Sequence, residues 1–182
     1  MTLLDAVNRI LISTGELPVE ALEESPITEV ALAINHINMA CREVQLAGWY
    51  FNSEYIELTP DDKGIIRLPF DTVSVKNLPY GLVLKNDSIY DTTKNSYIIG
   101  KKVKATLISL LPLEKLPETF ALWVTLRAAK KYQDNAITSA ELKTNIEREE
   151  LEAMLAAKKE DRATTRYNVK NKPSLINKIL RR

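Results

Sequence analysis

The sequence predicts an α+β fold: a helical bundle with two long antiparallel helices, an inserted antiparallel β meander or small barrel, and an extended basic C-terminal tail. Three observations carry the prediction. Residues 116–167 read as two long helices joined by a turn of only a few residues, which makes them neighbours and roughly antiparallel. Residues 3–13 and the stretch after Ser25 space their apolar side chains at helical intervals, whereas residues 54–111 are short runs rich in Val, Ile, Thr and Tyr. After Asp161 the charge turns wholly basic. The expected organisation is one α+β domain over residues 1–165, with the β insertion at about 54–111, and a C-terminal docking arm over 166–182.

In chain order, residues 3–13 place Leu3, Leu4, Val7, Ile10 and Leu11 on one face of a short helix, and Gly15 supplies the stop. The segment GELPVEALEES is a loop ending at Ser25 and Pro26, an N-cap followed by proline at the first helical position. The second helix then sets Val30, Ile34, Ile37, Cys41, Val44 and Gly48 along one seam. Trp49, Tyr50 and Phe51 follow its stop at Gly48 as a block of aromatics that can bury large areas at the joint between layers.

Within the β region, the runs YIEL, IIRLP, TVSV, LVLK, SIY, SYIIG and VKATLISL are separated by turn chemistry at Pro60 to Gly64, Asn86 to Asp87 and Thr93 to Asn95. The third helix starts at Pro117 and Glu118, and its apolar residues from Phe120 to Ala129 go most of the way round, so it is buried on more than one side. The fourth opens with Thr138, Ser139, Ala140 and Glu141 as a capping box. Its stripe of Leu142, Ile146, Leu151, Met154 and Leu155 is thin, and charge covers the remainder. Reaching roughly 40 Å at about 1.5 Å per residue, it is either a solvated face or a strut that packs beside copies of itself.

Composition narrows the chemistry. With 182 residues, 45% hydrophobic and 27% charged, the chain has enough material for a real core. A single cysteine, Cys41, excludes an internal disulfide framework and fits a reducing cytosol or a protein indifferent to redox. No apolar run approaches a membrane span and Met1 to Leu11 lacks a basic start, so neither a membrane segment nor a signal peptide is expected. His36, the sole histidine, has no visible partners for a triad or metal site; Cys41 falls in the apolar seam; the five glycines form no phosphate loop. The adjacent carboxylates Asp61 with Asp62 and Glu149 with Glu150 have no more than proximity to suggest a glycosidase pair. No catalytic residue, cofactor or metal is therefore expected.

The tail says more. The seven basic residues after Asp161 leave 18 basic against 24 acidic before them, so an acidic body of net charge −6 precedes a basic tail. Arg166, Lys170, Lys172, Lys178, Arg181 and Arg182 are interleaved with Leu175, Ile176, Ile179 and Leu180, which fit a short amphipathic helix capped by Ser174. So short a helix needs a surface to fold against. These residues are the candidate partner-binding set, for a neighbouring subunit or another protein. A frayed terminus and an arm for nucleic-acid phosphates are the alternatives, the second weakened by a single aromatic, Tyr167.

Five segments together resemble the tail tubular protein A family, the head-to-tail adaptors of short-tailed phages of the T7 type. They are AVNRIL (Ala6 to Leu11), GELPV (Gly15 to Val19), GWYFN (Gly48 to Asn52), IRLP (Ile66 to Pro69) and LPETFALWVTLRAA (Leu116 to Ala129), in family order. The charged fourth helix and basic tail match in character alone. The resemblance implies a non-enzymatic adaptor of the virion tail, made in the host cytoplasm. It implies a dodecameric ring that binds the portal on one side and the tail nozzle, tail tubular protein B, on the other, with a tail fibre as a further contact. DNA would pass through the channel without specific binding, and no membrane is involved. Two other classes stand beside it: a nucleic-acid-binding accessory protein using the basic tail, and a carbohydrate-cleaving virion enzyme leaning on acidic pairs in the β part.

Overall fold

The computed structural model describes residues 1–22, 28–135 and 140–170, the side chains of residues 135, 140 and 166–170 excepted. It is an α+β structure of four helices, α1 (Leu3–Ser13), α2 (Thr28–Gln45), α3 (Glu118–Asn135) and α4 (Ala140–Lys170), and five strands between α2 and α3. The chain divides into two compact units, Met1–Cys41 with the residues from Pro112 onward, and Arg42–Leu111.

In the helical unit, Thr2 caps α1 and Asp5 returns a bond to the Thr2 N–H, a reciprocal pair that satisfies two end donors. Ala6, Val7, Ile10 and Leu11 are buried on one face, and Gly15 turns the chain at φ +85°. Asn8 then pins the following loop: its amide donates to the Val19 carbonyl at 2.9 Å and accepts from the Val19 N–H at 2.8 Å. The AVNRIL and GELPV segments are thus two halves of one joint. Helix α2 buries Val30, Ala33, Ile37, Ala40, Cys41 and Val44, with Ile34 only half-buried. The N-cap expected at Ser25 and Pro26 lies outside the described residues.

Helix α3 is buried nearly all round, as its composition predicts: Phe120, Ala121, Trp123, Val124, Leu126, Ala128, Ala129 and Tyr132 are all buried. Pro117 sits just before the first helical residue and its carbonyl accepts from the N–H groups of Phe120 and Ala121. Thr125, like Gln133 a buried polar residue of α3, donates its hydroxyl to the Ala121 carbonyl at 2.8 Å, one turn back. The far end of α3 is tied to α1, where Gln133 donates to the Ser13 carbonyl at 2.9 Å and the Tyr132 hydroxyl bonds Glu16 at 3.1 Å. The capping box expected from Thr138 lies outside the described residues.

The second unit holds β1 (Ser53–Leu58), β2 (Thr72–Lys76), β3 (Leu82–Lys85), β4 (Ser88–Asp91) and β5 (Val103–Ser109). All pairings are antiparallel: a three-stranded sheet in the order β1–β5–β2, and a β3–β4 hairpin. The pattern corrects the expectation of a meander or small barrel. The last strand is the central one, and the sheets do not close. IIRLP and SYIIG, expected as strands, make only isolated bridges, Ile65 to Ile98 and Arg67 to Ser88 among them. Pro69 has no N–H to extend the first, and Gly64 and Gly100 turn the chain at φ +78° and +65°. The hairpin turns at Asn86 and Asp87, both at positive φ, as a type I′ turn requires. Leu58, Ile66, Leu68, Ile89, Val103, Ala105 and Leu107 form the core of this unit.

Two buried amides close its neck. Gln45 donates to the Leu111 carbonyl and accepts from the Leu111 N–H, each at 2.8 Å. Asn52 donates to the carbonyls of Gln45 and Ser109, both at 3.0 Å, and accepts from the Trp49 N–H at 2.7 Å. The two ends of the insertion are thereby held together, and Asn52 of GWYFN does most of it. Trp49 is only half-buried, its indole N–H donating to the Val44 carbonyl at 2.6 Å.

Candidate interaction surface

Helices α3 and α4 form an antiparallel pair whose register is written in ion pairs. Arg127 meets Glu150 at 3.1 Å, Lys130 meets Glu147 at 3.3 Å and Glu150 at 3.5 Å, and Asp134 meets Lys143 at 3.4 Å. As the number rises along α3 it falls along α4. Burial alone would pull Lys130 down, but Glu147 and Glu150 outweigh it and hold the ammonium above its ordinary value. The outer pairs, Lys130 with Glu147 and Lys143 with Asp134, contribute about 0–1 kcal/mol each, so they fix register more than they add stability.

The apolar seam of α4 differs from the expected stripe. Ile146, Ala153 and Ala157 are buried, whereas Leu142, Leu151 and Leu155 are 44%, 52% and 56% exposed. Small residues face α3 because that helix already carries Phe120, Trp123 and Leu126, and alanine lets the backbones approach. At 100° per residue, Leu151 and Leu155 fall on the side of α4 opposite the seam, beside the exposed Arg148 and Lys159.

The flank opposite the ion ladder is different in character. Here Arg9 of α1, Leu122 and Leu126 of α3, and Glu149, Glu152, Ala153 and Ala156 of α4 line a groove of about 320 Å³. Arg9 and Glu149 make an ion pair of 3.3 Å at its rim. Glu149 and Glu150 therefore point to different flanks and form no carboxylate pair. Asp61 is likewise accounted for by its turn: it accepts from the N–H groups of Lys63 and Ile65, both at 2.9 Å, and these bonds hold its carboxyl below the usual range.

His36 packs edge-on against Tyr132 with ring centroids 6.0 Å apart, and burial, then Lys131, pulls its pKa down. Cys41 is buried and its thiol is pushed up to about 12 by burial, with the Glu114 charge adding to it. Among the described residues no group of three or more His, Cys, Asp or Glu side chains is placed to hold a metal, and no helix is long and apolar enough to cross a membrane.

Of the tail residues singled out in the sequence, Arg166 and Lys170 belong to the last turns of α4, which runs on to Lys170. Lys172, Leu175, Ile176, Lys178, Ile179, Leu180, Arg181 and Arg182 lie outside the described residues. Two features escaped sequence reasoning. One is the groove, whose alanines carry no signal alone. The other is a pair of fully exposed aromatics in the β unit, Phe70 and Tyr80, flanking β2 at either end.

A relative, tail tubular protein A of Klebsiella phage KP34, is 29% identical over 125 residues, 66% of this chain and 66% of the relative, so the match spans just under two thirds of that protein. The family model described as Tube, tail tubular protein, matches residues 4–167, which takes in the β unit and the four helices, all but the outer ends of α1 and α4. The chain belongs to the tail tubular protein family, structural components of the bacteriophage tail.

Proposed function

We propose that the chain is a ring-forming adaptor, dodecameric by resemblance, that joins the portal of the head to the tail nozzle and lines the channel through which DNA leaves. The observation that carries this is the α3–α4 pair with unlike flanks: an ion ladder on one side, an apolar groove on the other, and exposed Leu151 and Leu155 on the outward face. Unlike surfaces that meet head to tail generate rings when the rotation closes. Residues 1–165 form the adaptor body and 166–182 the arm that docks on the portal or a neighbour. The net charge of −6 before the basic tail supports DNA passage without capture, since an acidic wall repels phosphates. The protein takes its place in the virion tail after synthesis in the host cytoplasm.

The test is light scattering on a sizing column, for the chain alone and mixed with the portal ring encoded by the same genome. Joining the portal as a complete ring is the expected result, and deletion of Pro173 to Arg182 is expected to spare the fold and abolish docking. A chain that stays small and ignores the portal overturns the reading. The seven basic residues after Asp161 favour one other reading, nucleic-acid binding. Its mark is duplex affinity that falls by orders of magnitude between about 50 and 200 mM salt.

A further inference from the structure

The groove between α1, α3 and α4 is lined by apolar side chains with carboxylates at its rim. Leu122 and Leu126 form one wall, Ala153 and Ala156 the other, and Glu149 and Glu152 stand along the edge. Its volume of about 320 Å³ lies at the small end of the roughly 300–1,000 Å³ typical of ligand cavities. Arg9 engages Glu149, but Glu152 has no ion-pair partner among the described residues. An occupant must therefore bring aliphatic groups and positive charge together. Nucleic acid fails on both counts, because its phosphates would meet Glu149 and Glu152.

Residues 171–182 of this same chain carry that chemistry: Leu175, Ile176, Ile179 and Leu180 at helical spacing, with Lys172, Lys178, Arg181, Arg182 and no acid. Reach decides whose copy supplies them. Ala156 lies about 21 Å, and Glu149 about 32 Å, from the end of α4 at Lys170, at about 1.5 Å per residue. Doubling back, residues 171–174 cover about 13 Å if extended, and a helical turn and a half through Leu180 adds about 9 Å. Over that span a chain's own leucines and isoleucines would reach no further than the near rim.

We propose that this groove receives the C-terminal segment, residues 171–182, of a second copy of the chain. Leu175, Ile176, Ile179 and Leu180 fill the apolar floor, and Lys178 faces Glu152. The inference rests on the adaptor reading in one respect: it needs another copy nearby. It turns a flexible charge match into a directional link, tail of one copy to flank of the next, which is the head-to-tail relation that a ring repeats.

The test uses full-length chains carrying single added thiols, Ala156→Cys in one and Ile179→Cys in the other, mixed and treated with a short bifunctional maleimide. Buried Cys41 does not compete. The expected product is a covalent dimer that neither variant forms alone, seen free in solution or on the portal ring. Glu152→Lys is expected to lower its yield about two- to fivefold, as befits a rim charge pair, and Lys178→Glu in the partner to restore it. Absence of the dimer in both settings, a link only within one chain when both cysteines are present, or indifference to Glu152→Lys would each overturn the proposal. If the wild-type chain still joins the portal while no link forms, the adaptor reading stands and the tail assignment falls; if neither occurs, both fall.

Discussion

Replacing Leu151 and Leu155 together by glutamine separates the two roles an exposed leucine can have. The side chains are 52% and 56% exposed, so about half of their burial is still to be gained on association. Full burial of a leucine is worth about 1.5–3 kcal/mol, which leaves about 0.8–1.5 kcal/mol for each and about 1.5–3 kcal/mol for the pair at one interface. At about 1.4 kcal/mol per factor of ten, the double variant should bind its neighbour about 10- to 140-fold more weakly. Glutamine keeps the length and nearly the helix propensity of leucine, so the isolated chain should change by no more than about 0.5 kcal/mol, or about 1–2 °C in Tm. Light scattering over a dilution series, with and without the portal, reads the first quantity, and a thermal melt followed by circular dichroism reads the second. Association unchanged within about twofold would refute the outward face as a contact. A fall in Tm of many degrees would show instead that the leucines pack within their own chain.

Other outcomes follow from single sites. Gly48→Ala puts a side chain where φ is +73° and where its Cβ would lie 2.6 Å from the Ile108 Cδ1, so denaturation should show a loss of about 1–3 kcal/mol. Trp123→Ala should cost about 3–5 kcal/mol by the same measure, and Trp49→Ala less, because only Trp123 is fully enclosed. Cys41 should resist iodoacetamide at neutral pH in the folded chain and react readily in urea; fast labelling of the folded chain would contradict a thiol held near 12. Asp91 accepts from the Thr93 hydroxyl, then from the N–H groups of Lys94 and Thr93, and these bonds lower its pKa. A depressed carboxyl stabilises fully above its unfolded value of about 3.9 and loses that contribution as pH falls through the folded value. Asp91→Asn should therefore be less stable than the parent at pH 7, with the gap closing below about pH 4; a gap independent of pH would refute the attribution.

How much of this was legible in the sequence depended on what kind of signal an element carries. Helix α1 came out to the residue, because Leu3, Leu4, Val7, Ile10 and Leu11 keep one helical face and Gly15 is a stop that acts locally. The surround burial of α3 was equally open, being a matter of composition over one segment. Sheet order was not. Alternation tells which face of a strand is buried but not which strand lies beside it, so nothing in VKATLISL announced that β5 would sit between β1 and β2. The stripe of α4 shows a related limit: it marks apolar positions but not which of them meet α3, and the positions that let the two helices approach are Ala153 and Ala157, with Leu142, Leu151 and Leu155 on the outside.

The segments that carried the family resemblance acquire a physical meaning from their bonds rather than from their apolar residues. Asn8 of AVNRIL holds Val19 of GELPV by two bonds, Glu16 of the same loop takes the Tyr132 hydroxyl, and Asn52 of GWYFN bonds both ends of the β insertion while Gly48 turns the chain before it. Each is a buried or half-buried polar joint whose partner lies far along the chain or across a loop. Such a joint cannot be inferred from periodicity, since it repeats nothing, and it tolerates few replacements, since an amide left without its partner in the interior costs about 1–3 kcal/mol. The candidate site shows the converse. Its groove is made of alanine, leucine, Arg9 and two rim carboxylates that any solvated helix can present, and it opens on the flank away from the pairs that Arg127, Lys130 and Asp134 make with α4. The joints fix the scaffold, and the surface that would bind a neighbour is what the scaffold leaves uncovered.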